Sequence, residues 1–159
     1  MKKILFILVL VMPWLSSFGD EPSRITVNAG VLAPYTLDAT ISYEKPVGYG
    51  NAWALFGEAG NRWQTPICHM FWKKYYWDGG FEYKHRLVKY KNGSFRIFGG
   101  GYCGAYIHRV FFGCHVGFEY NYTFANNWQF SISQKNQFNF LNRVDTFRNG
   151  LMIGLKIPI

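Results

Sequence analysis

The chain has 159 residues, with 17 basic and 9 acidic side chains, a net charge of +8, 20% aromatic residues and 17 glycines. That is about one domain's worth of chain, and beyond the N-terminus no apolar run approaches the ~18 residues that a membrane-spanning helix needs. Abundant aromatics and glycines beside a mean hydropathy near zero instead suit a barrel with one apolar and one polar face.

The N-terminus speaks for export. Lys2 and Lys3 precede an unbroken apolar run at 4–12, Pro13 ends it, and Ser16, Ser17 and Gly19 supply small residues. This is the pattern of a secretory signal peptide over 1–19, leaving a single domain over 20–159. No cysteine lies near the expected cleavage point, so no lipid-modified terminus is expected. Setting Lys2 and Lys3 aside leaves 15 basic residues against 9 acidic ones. In an exported chain this balance points to anionic lipid head groups or surface polysaccharide, and no direct contact with nucleic acid is expected. Cys68, Cys103 and Cys114 make an odd count, which leaves at least one thiol without an internal partner.

From there the chain reads as strands. Side chains in a strand alternate between two faces. Ile25, Val27, Ala29 and Val31 alternate with Thr26, Asn28 and Gly30, up to a turn at 33–35. Leu37, Ala39, Ile41 and Tyr43 then alternate with Asp38, Thr40, Ser42 and Glu44, and Pro and Gly mark a turn at 46–50. A third strand over 51–59 has a blurred pattern that assigns neither face. Residues 60–76 form the longest irregular stretch, and it is aromatic and basic. Trp77, Phe81, Tyr83 and Leu87 next oppose Asp78, Glu82, Lys84 and Arg86, and Asn92-Gly93 is a strong hairpin signal. Phe95, Ile97, Gly99, Gly101 and Cys103 oppose Arg96, Phe98, Gly100 and Tyr102.

Residues 112–124 carry the clearest pattern. Phe112, Cys114, Val116, Phe118, Tyr120, Tyr122 and Phe124 share one face, and Gly113, His115, Gly117, Glu119, Asn121 and Thr123 share the other. At the helical 100° per residue the same side chains would scatter around the axis. Trp128, Phe130 and Ile132 alternate with Gln129, Ser131, Ser133 and Lys135. A polar loop over 139–148 precedes the last strand, where Leu151, Ile153, Leu155 and Ile157 oppose Met152, Gly154 and Lys156.

Eight strands of roughly ten residues match the 9–11 that a tilted strand needs to cross a bilayer. Short connections at 46–50, 89–93 and 125–127 alternate with longer ones at 60–76 and 139–148. The expected fold is therefore an all-β, eight-stranded antiparallel up-and-down transmembrane barrel of the outer-membrane type, in the outer membrane of a Gram-negative bacterium. Tyr49, Tyr90, Phe124 and Trp128 would form one aromatic girdle, and Trp63, Trp77, Phe111 and Phe138 the other. A soluble lipocalin-like cup shares the alternation but would carry its charges outside and its apolar face inside. The polar face here bears only isolated charges and the apolar face almost none, which favours lipid.

In a barrel this narrow the polar face points into a lumen that side chains can fill. Glu44, Glu82, Lys84, Arg86, Arg96, Glu119, Lys135 and Lys156, with Asp38, are the expected network, paired because unpaired buried charge is costly. A conducting pore or proton path is the less favoured reading. Arg62, Trp63, Trp72, Lys73 and Lys74 are the candidate external contact loop, suited to phosphate-bearing lipopolysaccharide. His69, His85, His108 and His115 lack zinc-ligand spacing, and no Gly-x-Ser-x-Gly element is present. No catalytic residue, metal or cofactor is expected. Cys103 and Cys114 flank a hairpin and read as two small apolar residues rather than a disulfide. Val116→Arg should block assembly, whereas Asn121→Ser should be nearly silent.

The Gly-Asn-Arg-Trp motif at 60–63, the Gly-Gly-Gly-Tyr motif at 99–102 and the Ile-Gly-Leu-Lys motif at 153–156 resemble the TraO family, conjugal transfer proteins of conjugative transposons. The resemblance runs loosely over most of the mature chain. It implies a structural, non-catalytic outer-membrane component of a DNA-transfer apparatus, with other conjugal transfer proteins as partners. A stand-alone small barrel for surface adhesion or envelope protection is the alternative.

Overall fold

The computed structural model describes residues 21–33, 36–62, 75–106, 109–140 and 146–159, so the segment expected to be a signal peptide lies outside the described residues. Eight strands follow one another: β1 (Arg24–Ala33), β2 (Thr36–Gly48), β3 (Asn51–Arg62), β4 (Tyr75–Tyr90), β5 (Gly93–Tyr106), β6 (Arg109–Thr123), β7 (Gln129–Phe140) and β8 (Phe147–Pro158). Each pairs antiparallel with the next, and β8 returns to β1, from Arg24 opposite Pro158 to Ala33 opposite Asn149, to close the barrel. Closure leaves no exposed sheet edge.

Several boundaries differ from those the sequence suggests. β3 continues to Arg62 and β4 begins at Tyr75, so both ends of the expected 60–76 irregular stretch are strand, and 63–74 lie outside the described residues. β7 runs to Phe140 and β8 starts at Phe147, so both ends of the expected 139–148 loop are strand, and 141–145 lie outside the described residues. The fourth hairpin turns at Lys91-Asn92, one residue before the Asn-Gly pair, with Gly93 already opposite Tyr90 in the ladder. A Cβ on Gly93 would come within 2.7 Å of the Tyr120 hydroxyl, so that glycine makes room for a neighbouring side chain instead of turning the chain. Tyr49 and Gly50 both adopt positive φ, 53° and 74°, the geometry of a tight hairpin turn whose twist matches its strands.

The alternation sorts side chains by solvent. Val27, Ile41, Leu55, Phe112, Val116, Phe118, Leu151 and Ile153 face outward and are exposed, while Glu44, Lys84, His115, Glu119, Asn121 and Lys156 face inward and are buried. The third strand resolves in the same way. Ala52, Ala54, Phe56 and Glu58 point inward, while Trp53, Leu55 and Ala59 point outward. Its pattern blurs because Phe56, an aromatic, belongs to the polar side. Phe111 corrects the expected girdle for the same reason. It is 2% exposed and packs inside against Tyr76 and Tyr102, while Trp77 and Phe138 hold the outer positions at that end.

β6 shows why its inner face reads as small or polar. Gly113 and Gly117 flank His115, and a Cβ on either would strike the Tyr102 or Phe98 ring at 2.6 and 2.5 Å. Their absence of side chains lets Tyr102 stack on His115 at 5.7 Å and Phe98 lie 5.8 Å away, with Phe56 at 5.1 Å on a third side. Cys103 lies opposite Phe112 and Cys114 opposite Gly101, so the two thiols do not face one another, and both are free.

Candidate functional site: a charge-balanced lumen

The interior is organised in layers. Nearest the short turns, Glu44 from β2 accepts hydrogen bonds from Arg96 Nη1 at 2.5 Å and Lys156 Nζ at 2.7 Å. Lys84 Nζ lies 3.3 Å from the same carboxylate. Glu119 on β6 accepts from Lys84 at 2.9 Å, Lys156 at 2.8 Å and Asn121 Nδ2 at 2.8 Å. Two carboxylates and three cations thus share partners, from five strands spaced around the barrel. At the mouth below them, Glu21 meets Arg24 at 3.3 Å and Arg86 at 3.5 Å.

Above this layer Glu82 pairs with Lys84 at 3.1 Å and with His115 Nε2 at 3.1 Å. Toward the other end Glu58 is the centre. It accepts from Lys135, from Gln137 Nε2 at 2.8 Å and from the Tyr76 hydroxyl at 3.2 Å. The Lys135 ammonium lies 5.3 Å from the Phe56 ring centre, and the Arg148 guanidinium stacks 4.0 Å over Tyr76. Such cation–ring contacts help hold a charge that has lost its water. Tyr102 donates to Asn139 Oδ1 at 2.8 Å and so ties the aromatic cluster to β7. Asp38 and Asp78, each 3% exposed, face the same chamber as Glu58 and Lys135.

Among the described residues the interior buries as many acidic as basic side chains, although the Asp38 and Asp78 carboxyls accept no hydrogen bond there. Six acids (Asp38, Glu44, Glu58, Asp78, Glu82 and Glu119) meet six bases (Arg24, Lys84, Arg96, Lys135, Arg148 and Lys156), all 0–8% exposed. Opposite charges held close in a dry interior attract strongly, but each leaves water at a cost, so only a closely matched set is tolerated.

Seven of the eight lumen residues expected from the sequence lie in this buried set: Glu44, Glu82, Lys84, Arg96, Glu119, Lys135 and Lys156. Arg86 differs. It is the next inward position along β4 after Lys84, opposite Arg96 and just before a bulge, and it lies at the mouth beside Glu21 with its side chain 21% exposed. Asp38 joins the seven as expected, and Arg24, Glu58, Asp78 and Arg148 complete the buried set. Glu58 sits on the blurred strand, and Arg148 falls within the expected loop although it shares the parity of Met152 and Lys156. Asn121 is also more than filler: it is wholly buried and donates to Glu119, so Asn121→Ser should remove a hydrogen bond instead of being nearly silent. Of the candidate contact loop, Arg62 ends β3, and Trp63, Trp72, Lys73 and Lys74 lie outside the described residues.

A closed antiparallel eight-stranded barrel, apolar outside and charged inside, is an outer-membrane type of barrel. No protein-family model matches the chain, and no curated protein matches it. Among solved structures it resembles the outer membrane enzyme PagL, with a TM-score of 0.57 at 10% identity, over 86% of this chain and 99% of that one. It also resembles Ail, the attachment invasion locus protein of Yersinia pestis, with a TM-score of 0.45 at 14% identity, over 86% of this chain and 97% of that one. The likeness to PagL concerns the fold.

Proposed function

We propose that the protein is a structural outer-membrane barrel of a Gram-negative bacterium, neither pore nor enzyme, that serves a conjugative DNA-transfer apparatus through the surfaces it presents. The sealed lumen carries the structural part of this reading. Six acidic side chains, six Lys and Arg side chains and His115, none more than 8% exposed, fill the interior together with Phe56, Tyr76, Tyr102 and Phe111. A barrel of eight strands holds little beyond its own side chains, and a water path through this one would have to separate paired buried charges.

The transfer part rests on the resemblance to TraO proteins. Some residues of those motifs have work to do in the fold. Gly60 clears the Tyr76 ring, Gly100 clears the backbone of Phe81 and Glu82, and Lys156 bridges Glu44 and Glu119. They therefore support a barrel with this lumen as strongly as they support the apparatus. PagL is an enzyme, but at 10% identity nothing of its activity is taken over. Arg62 and the aromatic, basic connection that follows support contact with phosphate-bearing lipopolysaccharide.

Two measurements test the reading. Vesicles carrying the purified protein should exclude small sugars as protein-free vesicles do; sugar leakage removes the structural part. Deleting the gene should lower DNA-transfer frequency. An unchanged frequency with altered adhesion or detergent sensitivity would replace the apparatus with a stand-alone barrel for surface adhesion or envelope protection.

A further inference from the structure

Among the described residues the outward wall has two polar interruptions away from the strand ends: His85 toward the short turns, and a pair of carboxamides on β7. Along β7 the outward positions run Phe130, Ile132, Gln134, Asn136, Phe138 and Phe140, so two carboxamides sit between apolar residues below and aromatic ones above. Asn136 pairs with Val116, the central residue of β6, and on its other side with Asn149 of β8, also outward. Gln134 Nε2 donates to Asn136 Oδ1 at 3.0 Å, Asn136 Nδ2 lies 3.1 Å from Gln134 Oε1 and 3.3 Å from the Val116 carbonyl, and Asn149 Nδ2 donates to Asn136 Oδ1.

These bonds use Asn136 fully and leave the others half-used. A carboxamide offers two donors and an acceptor. After the internal bonds, the second N–H of Gln134, the second N–H of Asn149 and the Asn149 carbonyl have no partner among the described residues. All three side chains are half-buried. Around them Val116, Phe118, Leu151 and Ile153 are exposed, the last two by 63% and 58%. Acyl chains at this depth present no donor or acceptor, so a lone copy leaves these groups unsatisfied in hydrocarbon, where that is costly.

We propose that the β6–β8 face carrying Gln134, Asn136 and Asn149 is the contact surface of an in-membrane dimer, and that its occupant is a second copy of this chain. Every copy inserts with the same orientation, so a two-fold axis along the membrane normal places each residue opposite its counterpart at equal depth. Leftover carboxamide donors then meet leftover carboxamide acceptors, because a carboxamide is complementary to itself. Hydrogen bonds between polar side chains of neighbouring segments are a known source of association inside bilayers, and the exposed Leu151, Ile153, Val116 and Phe118 would shield them. The dimer does not depend on the proposed role in DNA transfer.

Sedimentation equilibrium of the purified full-length protein in density-matched micelles, with cross-linking in phosphatidylethanolamine–phosphatidylglycerol vesicles, tests it. The wild type should be dimeric in both. The triple variant Gln134→Leu, Asn136→Leu, Asn149→Leu should assemble, shift on heating as the wild type does, and associate at least ~10-fold more weakly, about 1.4 kcal/mol. Asn149→Ala alone, which spares β7, should weaken association in the same direction if the triple variant fails to assemble. A monomeric wild type overturns the proposal, as does a triple variant that dimerises as tightly as the wild type. So does a monomeric wild type that retains lipopolysaccharide which the triple variant loses, because the carboxamides then hold lipid.

Discussion

Glu44→Gln removes one charge from a carboxylate that three cations share while keeping its shape. Lys84 and Lys156 keep Glu119 at 2.9 and 2.8 Å after the change. Arg96 does not fare as well. Its bond to Glu44 is 2.5 Å, and its remaining acids, Glu119 and Glu21, are 3.9 and 4.0 Å away. Glu44→Gln therefore leaves one guanidinium, 2% exposed, with no close counter-charge, and five buried acids against six bases. Removing one partner of a buried pair costs about 3–5 kcal/mol, and because two of the three cations keep a partner the lower end applies, about 3 kcal/mol. That is more than a hundredfold in the folded-to-unfolded ratio.

Urea unfolding in lipid vesicles, followed by tryptophan fluorescence, reads the change directly. The control is the double variant Glu44→Gln, Arg96→Met, which restores five acids to five bases and swaps the guanidinium for an apolar side chain. Neighbours in one network are non-additive, so the double variant should be more stable than the sum of the singles implies, by at least about 1.5 kcal/mol. A Glu44→Gln protein within about 0.5 kcal/mol of wild type, or a double variant equal to that sum, would falsify the interlocked network.

Val116 is outward at the middle of β6, so Val116→Arg places a charge in mid-bilayer at a cost of about 2–4 kcal/mol; the variant should be missing from the heat-modifiable membrane fraction, and normal assembly would reverse the wall assignment. Asn121→Ser should lower stability by about 1 kcal/mol through the lost donor to Glu119, read in the same urea titration. Gly100→Ala and Gly57→Ala separate the two faces by packing. A Cβ at Gly100 lies 2.0 Å from the Phe81 carbonyl oxygen, whereas one at Gly57 meets nothing within 4 Å. The first should cost about 1–3 kcal/mol by overpacking and the second should leave the midpoint where it is.

The strands were legible because a period of two needs no knowledge of the fold. The stretches 112–124 and 128–135 sort their faces residue by residue, since no aromatic within them turns inward. The failures share a cause. Phe56 and Phe111 are apolar but belong inside, where they flank Lys135 and Tyr76, so hydrophobicity alone sends them to the wrong side. Arg148 was hidden by polar neighbours that suggest a loop, although stepping back by twos from Lys156 through Met152 reaches it. The pairings themselves were out of reach. Lys156 and Glu44 are 112 residues apart, and Lys135 and Glu58 are 77 apart. Which inward residues meet across a lumen depends on strand tilt and on the stagger with which the barrel closes, and neither is written in local periodicity.

Alternation also says nothing about which face meets water, since a soluble cup and a membrane barrel share it. The charge distribution decides. Six of the chain's nine acids are buried inside with six bases, while Lys45, Lys89 and Lys91 lie near the short turns, at head-group level. A soluble cup would spread its charges over the outer surface and keep the interior apolar; here the arrangement is inverted. Once lipid is the outer solvent, the wall follows a strict rule. Among the described outward positions away from the strand ends, side chains are apolar, aromatic or small, except for His85 toward the short turns and Gln134 and Asn136 on β7, which Asn149 meets from near the start of β8. His85 lies toward the short turns, but Gln134 and Asn136 pair with Phe118 and Val116 at the middle of β6, and Asn149 joins them from the third position of β8. A break in that rule at that depth is what a partner of matching depth would relieve.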